Sequence, residues 1–306
     1  MESDRIKKLL ARIDEGKKLI DKFRPLPPSV LSRLKKQFVF EWTYNSNAIE
    51  GNTLTLKETI IVLEEGLTIG NKSLKEHLEV INHKAAISFV EDLAVSGKKI
   101  TERNIREVHS LVLKEIDSKY AGRYRDIQVR ITGSTHVPPE PYKISEAMRK
   151  FDKTRLAKSK AHPVKQAALA HLDLVGIHPF VDGNGRTSRL LMNLILMKQG
   201  YFPAIILKND RKRYYTTLDK GHRGLPDDFI FFVGRALERT LYLYLEAIPE
   251  VKTQFITLAE AAKISPYSQN YLNILARRGA IPAFKLKRNW MVTKDSLLQY
   301  TKDHQK

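Results

Sequence analysis

The sequence predicts a mainly α-helical protein with one β-hairpin inside a helical core and a small winged helix-turn-helix at the C-terminus. Three observations predict it. Apolar residues recur at three- and four-residue spacing through most of the first 250 residues. RYRDIQVRITGSTHVPPEPYKI, residues 123–144, instead alternates through Ile127, Val129 and Ile131, turns at Gly133-Ser134 and stops at Pro138-Pro139. Residues 251–306 carry ten Lys or Arg against three Asp or Glu and break into short helical and extended pieces.

Taken in order, IKKLLARIDEGKKLIDKF makes the first amphipathic helix, and RPLPPSV (residues 24–30) breaks it, because consecutive prolines cannot continue a helix. SRLKKQFVFEWTYNSNAIE forms the next helix and stops at Gly51. Thr55 and Glu58 have the spacing of a capping box that opens a third, and KSLKEHLEVINHKAAISFVEDLA continues the pattern. These helices form an N-terminal region, residues 1–95. Residues 96–250 form the core. Its helices come from TERNIREVHSLVLKEI, ISEAMRKFDKTRLAK, VKQAALAHLDLVGI, TSRLLMNLILMKQG, DRKRYYTTLDKG and DDFIFFVGRALERTLYLYLEAI, with the hairpin around 125–140 between the first two. IPEVKTQF separates the core from residues 251–306. There Thr257 and Glu260 make another capping box, QNYLNILARRG a second helix, and IPAFKLKRNWMVTKD a two-stranded wing around Lys287-Arg288-Asn289.

Apolar residues make up 42% of the chain, enough for a real core. There is no cysteine, which excludes a disulfide scaffold, a thiolate metal site and a cysteine nucleophile, and fits a cytoplasmic location. The N-terminus is charged throughout and no run of about 18 apolar residues occurs, so neither a secretory leader nor a membrane span is expected. The net charge of +19 suits a polyanionic partner: nucleotide, nucleic acid or acidic protein.

The chemistry concentrates in HPFVDGNGRTSR, from His178 to Arg189. Gly183-Asn184-Gly185 precedes an amphipathic helix. Glycines permit a tight turn, and a helix N-terminus offers unpaired N–H donors and partial positive charge, which together suit phosphate. Arg186 and Arg189 project from one side of the first helical turn and can hold separate phosphates. Asp182 is a hard oxygen ligand suited to magnesium. His178 can accept a proton near neutral pH. No GxxxxGK[ST] loop and no HRD…DFG set occurs, so neither a P-loop enzyme nor a protein kinase is supported.

HPFVDGNGRTSR resembles the HxFx[D/E]GNGRxxR signature of the Fic family, enzymes that move a nucleotide monophosphate, most often AMP, onto protein hydroxyls. The resemblance covers most of residues 40–245. It implies a Fic-type helical core, ATP as donor substrate, Mg2+ as its ion, and a target protein carrying a Tyr, Thr or Ser hydroxyl. His178 would be the general base and Asp182 the magnesium ligand. Gly183, Asn184, Gly185 and Arg186 would hold the phosphates, with Thr187 and Ser188 in the same nucleotide-binding turn, and Arg189 would hold the γ-phosphate. RKRYYTTL resembles the adenosine-contacting segment, so Tyr215 with Tyr214 would line that site. The asparagine that often follows in the family has no counterpart in Lys220-Gly221-His222-Arg223, which leaves donor-base selectivity open. GSTHVPP is similar to the family's flap, which implies that Ile131, Thr132, Gly133, Ser134, Thr135 and His136 align the target chain.

SNAIEGN raises a separate question, because Glu50 lies at a helix C-terminus, where a carboxylate is disfavoured by roughly 0.3–1 kcal/mol. The stretch matches the family's inhibitory motif [S/T]xxxE[G/N], with Ser46 and Glu50 at the fixed positions. The resemblance implies that Glu50 pairs with Arg189 and keeps it from the γ-phosphate, and that removal of AMP is a secondary activity of some such members. Residues 257–306 resemble excisionase- or MerR-like winged helices. Asn270, Asn273, Arg277 and Arg278 would face a DNA groove, and Lys285, Lys287 and Arg288 would meet phosphates. Two other readings stay open: a DNA-binding regulator that only senses nucleotide, and a Fic enzyme using another nucleotide or a phosphocholine donor. Self-modification and a homodimer are compatible with the sequence, and neither is read from it.

Overall fold

The computed structural model describes residues 3–304 apart from 25, 27, 132, 133, 135, 158, 249–254, 279, 287 and 288. The chain is mainly helical and forms two compact units, Lys35–Val233 and Met1–Leu34 with Gly234–Lys306. This division follows contacts, where the expected boundaries near 95 and 250 followed composition.

Helices α1 (Asp4–Asp21), α2 (Pro28–Ile49), α3 (Leu56–Glu65), α4 (Leu74–Val95) and α5 (Glu102–Val112) open the chain. α2 begins at Pro28 rather than Ser32, since a first-turn proline lacks only an N–H that would have no helical partner. Both reciprocal bonds of the Thr55/Glu58 capping box form, and Ser73/Glu76 and Thr101/Asn104 make equivalent boxes for α4 and α5. α6 (Ile144–Phe151) runs into a π-helical turn at Asp152–Leu156 instead of continuing as α-helix. α7 (Pro163–Ile177), α8 (Asn184–Lys198), α9 (Arg211–His222) and α10 (Asp227–Ala247) follow.

α8 is the axis of the Lys35–Val233 unit. It packs against α7, α4 and α5, and its Leu190, Leu191, Met192, Leu194, Ile195 and Leu196 are all buried. A helix apolar on all sides stays in a core, and this one fixes where its own N-terminus points.

The other unit holds α1, whose buried stripe is Ile6, Leu9, Leu10, Ile13 and Ile20, with Arg12 Nε donating to Glu238 at 2.8 Å. Its C-terminal piece adds β1 (Phe255–Thr257), α11 (Leu258–Lys263), α12 (Gln269–Arg278), β2 (Ala283–Leu286), β3 (Asn289–Thr293) and α13 (Lys294–His304). The expected wing is the β2–β3 pair, with Leu286 opposite Asn289, and β1 adds a third antiparallel strand. Neither β1 nor α13 is marked in the sequence. Both complete a small core of Ile256, Leu258, Leu272, Leu275, Val292 and Leu297. Lys287 and Arg288 lie outside the described residues, while Asn270, Arg277 and Arg278 are exposed on α12.

Among the described residues of 125–140 no strand is assigned, so the expected hairpin is an extended loop there. Pro138 and Pro139 have no N–H to give a ladder. Arg125 gathers both arms instead, donating from Nη1 to Ile127 O at 2.9 Å and from Nη2 to Pro139 O at 2.5 Å.

Candidate active site

α7 ends where His178 takes left-handed backbone geometry, φ 49°, uncommon outside glycine and a recurrent feature of functional sites. The turn is braced from several sides. Arg125 Nε donates to His178 O at 2.8 Å, and Arg125 N donates to Pro179 O at 2.9 Å. Phe180 is buried flat against His109, with ring centroids 3.6 Å apart. Gly122 N donates to His109 Nδ1 at 2.9 Å, which leaves the proton on Nε2, and that atom donates to Asp182 O at 2.9 Å. Burial pushes the His109 imidazole down to about 4, in keeping with this neutral form.

His178 itself is neutral for the same reason. Burial pushes it down to about 4, further than its bond to Val175 O and the charges of Glu50 and Asp182 can restore. Its Nδ1 lies 3.3 Å from Val175 O, an acceptor, so Nδ1 carries the proton and Nε2 keeps its lone pair. A neutral imidazole with a free Nε2 can accept a proton.

Gly183, φ 74°, caps α8. Thr187 N makes the first intrahelical bond, to Gly183 O at 2.9 Å, so the N–H groups of Asn184, Gly185 and Arg186 precede the helical ladder. These backbone donors have no acceptor within the helix. Asn184 contributes differently from expectation: its Oδ1 accepts from Phe180 N at 3.0 Å and its Nδ2 donates to Phe180 O at 2.9 Å, so the amide braces the loop. Thr187 and Ser188 also depart from expectation. Both are fully buried on the core side of α8 and present no side chain to a ligand there.

Asp182 is half-exposed, 53%. Burial raises its carboxyl, but the Arg186 guanidinium, the Gly183 N–H at 2.6 Å and Lys75 outweigh it and hold the group below its ordinary range. A single ionised carboxylate suits magnesium, which commonly takes one or two protein oxygens and fills its shell with phosphates and water. Among the described residues there is no cluster of three or more acidic or His groups that would form an all-protein cage. Arg186, 2% exposed, lies between Asp182 at 3.3 Å and Glu79 at 3.2 Å. Glu79 Oε2 also accepts from Asn52 Nδ2 at 2.8 Å, which links this arginine to the turn after Glu50.

Arg189 is buried and fully engaged by the end of α2. Its Nε donates to Ser46 Oγ at 3.0 Å, and its Nη2 donates to Ser46 O at 2.8 Å and pairs with Glu50 Oε1 at 2.7 Å. Burial opposes the charge, yet Glu50 holds the guanidinium above its ordinary range. Glu50 lies directly over the first turn of α8, because a Cβ on Gly185 would fall on Glu50 Oε1.

The two tyrosines separate. Tyr214 is 1% exposed, and its hydroxyl meets His171 Nε2 at 2.9 Å and Arg189 Nη1 at 3.4 Å, so it supports Arg189 from the core instead of lining an open adenosine site. Tyr215 is only half-buried, with the Arg211 guanidinium 5.0 Å from its ring centre. Of the flap, Thr132, Gly133 and Thr135 lie outside the described residues. Ser134 N donates to Ile131 O at 3.2 Å, and Ser134 Oγ donates to Asp219 at 2.5 Å. His136 Nε2 donates to Gly176 O at 2.9 Å, two residues before His178. Val137, Lys143, Phe151 and His222 line part of a cleft of about 620 Å³ beside this arm.

The sequence reading placed His178, Asp182, Gly183, Gly185, Arg186, Arg189, Ser46 and Glu50 in one site, and the structure brings them together. It missed Glu79, His109 and Arg125, which lie far from the signature and carry no local pattern, and it gave no role to Arg211, which opens RKRYYTTL.

Comparisons with known proteins show what the chain is similar to. A profile of the Fic/DOC family matches residues 99–196, and a helix-turn-helix domain profile matches residues 255–305. Over 234 residues the chain is 42% identical to the protein adenylyltransferase Fic of Drosophila virilis, covering 76% of this chain and 48% of that protein. The corresponding protein of Drosophila willistoni is 41% identical with 47% covered, so this chain spans about half the length of these relatives. Among solved structures, Fic-1 (residues 134–508) from C. elegans superposes with a TM-score of 0.73 at 34% identity, covering 80% of this chain and 73% of that one. A Fic domain containing signaling protein from Bacteroides thetaiotaomicron gives 0.70 at 30% identity, covering 81% and 97%.

Proposed function

The chain belongs to the Fic/DOC family, and from that premise we propose that it is an auto-inhibited protein adenylyltransferase, moving AMP from ATP to a Tyr, Thr or Ser hydroxyl of a protein, itself included. The observation that carries the reading is Arg189, held at once by Ser46 and Glu50 beside a neutral His178.

His178 Nε2 takes the proton of the target hydroxyl as that oxygen bonds to the α-phosphorus. The bond from the α-phosphorus to its bridging oxygen breaks, and pyrophosphate leaves with the electron pair. The N–H groups at the start of α8 donate to phosphate oxygens, whose charge grows in the transition state. Arg189 binds the γ-phosphate once Glu50 releases it. Asp182 would hold magnesium, which supplies positive charge to the phosphates. Tyr215 presents the ring on which adenine stacks, and the flap, fixed by Ser134 and His136, aligns the target chain. Removal of AMP from a target is a secondary activity of the same site, and a homodimer is compatible with the reading.

The related proteins named as adenylyltransferases support ATP as donor over another nucleotide or phosphocholine, and the His178 geometry favours an enzyme over a nucleotide sensor. DNA is the partner proposed for residues 257–306, on the match to a helix-turn-helix domain and the exposed Asn270, Arg277 and Arg278. No helix among the described residues is long and apolar enough to cross a membrane, and the cysteine-free chain suits the cytoplasm.

The test is incorporation of label from ATP carrying it at the α- or the γ-phosphate, with wild type, Glu50→Gly and His178→Ala side by side. Stable label from the α position alone, raised at least tenfold in Glu50→Gly and lost in His178→Ala, is expected. Label from the γ position, or full transfer by His178→Ala, would refute the mechanism.

A further inference from the structure

A carboxylate at the C-terminus of a helix faces the negative end of the helix dipole and needs cations nearby. The end of α2 has two, and the proposed brake uses only one of them. Arg189 meets Glu50 directly. Arg211, the first residue of α9, donates from Nε to Ile49 O at 2.8 Å, one of the terminal carbonyls that α2 cannot satisfy within itself. Beside it, Lys208 N donates to Asn45 Oδ1 at 2.8 Å, while Asn45 Nδ2 bonds back to Glu41 O at 2.7 Å. The segment 208–211 therefore grips the last turn of α2 at two points that flank Ser46.

The same guanidinium has a second contact. Its centre is 5.0 Å from the centroid of the Tyr215 ring, within cation–π range. Ile49 and Tyr215 thus share one arginine. The residue before Tyr215 in α9, Tyr214, touches Arg189 from beneath. A single helical turn consequently contacts the brake helix, the arginine that the brake occupies, and the aromatic ring that lies open beside them.

We propose that Arg211 is the positioning residue of the brake: it clamps the carboxyl end of α2 so that Glu50 stays on Arg189, and a planar base settling on Tyr215 competes for the same guanidinium and so loosens the clamp. The proposal rests on the reading of Glu50 as a brake and adds how nucleotide binding is felt there. Arg211 acts through Ile49 O and Glu50 and takes no part in the transfer step. A base on Tyr215 alone weakens the brake, and complete release still requires Glu50 to leave Arg189.

The experiment uses the full chain with Arg211→Ala and Arg211→Lys, each with and without Glu50→Gly. Two readouts are taken: hydrogen exchange at residues 45–52, and initial rates of adenylyl transfer across ATP concentrations. Arg211→Ala is expected to speed exchange at 45–52 at least fivefold and to raise transfer several-fold in the chain that retains Glu50. In the Glu50→Gly background it should give no further gain in kcat. Arg211→Lys, which keeps the charge but lacks the Nε–H donor, should fall between the two. Adenosine alone should speed exchange at 45–52 in the parent chain and have no such effect in Arg211→Ala. Unchanged exchange at 45–52 in Arg211→Ala would overturn the clamp whatever the rates do. Equal fold-changes in transfer in both backgrounds would overturn the link to Glu50, since a merely structural loss acts alike in each. If no variant transfers label, including Glu50→Gly, the failure lies with the adenylyltransferase reading, and exchange still decides the clamp.

Discussion

A histidine in left-handed backbone geometry is held there only by what surrounds it, and His178 is surrounded by Arg125, the buried Phe180 and the left-over carbonyls of α7. Burial is also what sets its protonation. An ordinary histidine, near 6.5, is largely protonated at pH 6 and useless as a base there. His178, pushed down to about 4, keeps its Nε2 lone pair throughout that range. Initial rates of the Glu50→Gly variant should therefore stay level from pH 8 to pH 6 and fall only as pH approaches 4. A fall centred near 6.5 would mean that the imidazole titrates as if exposed. The residue types of the signature were legible in the sequence, but their division of labour was not. The Asn184 side chain looks like a phosphate ligand until its amide is found on both backbone groups of Phe180, which leaves its backbone N–H at the start of α8, and Tyr214 looks like an adenine platform until the core closes over it. A side chain's type limits what it can do, while burial decides what it does.

At the scale of elements, helices were legible because their apolar spacing and capping boxes are local: Thr55 and Thr257 form the boxes that their spacing announces, and Ser73 and Thr101 form two more. The flap was less so. Its alternation of Ile127, Val129 and Ile131 announces a strand, but a strand needs donors opposite it, and Pro138 and Pro139 supply none. What fixes the arm is side-chain chemistry: Arg125 across its base, Ser134 on Asp219 of α9, and His136 on Gly176 of α7. Replacing Ser134 with Ala removes one of these ties without touching the core. Amide exchange across 126–140 should speed several-fold, while the melting temperature should change by no more than about 1–2 °C, as befits a single partly exposed bond. A large drop in melting temperature would show that the arm is part of the cooperative core.

For the whole molecule, the sequence separates residues by tens of positions that the fold puts side by side: Ser46 and Arg189 are 143 apart, Arg125 and His178 53 apart. No local pattern can announce such pairs, which is why the signature and the Ser46–Glu50 motif were legible and their supports were not. The same convergence keeps four histidines neutral, and it fixes how stability responds to acid. Burial holds His83 well below its ordinary value and brings His109 to about 4, His171 to about 3 and His178 to about 4. In the unfolded chain each would titrate near 6.5, so between that pH and about 4 the unfolded state binds more protons than the folded one. Stability then rises with pH across this window and is level above it. The carboxylates act lower: hydrogen bonds from Thr53 and Ser73 hold Glu76 at about 2, so its contribution is lost only as pH falls from about 4.5 toward 2. Urea midpoints should accordingly match at pH 8 and pH 7, decline from about pH 6.5, and drop steeply by pH 5, before the carboxylates are involved. A midpoint that stayed level down to pH 5 would mean that these histidines reach water in the folded protein, and the neutral His178 on which the transfer mechanism depends would lose its basis with them.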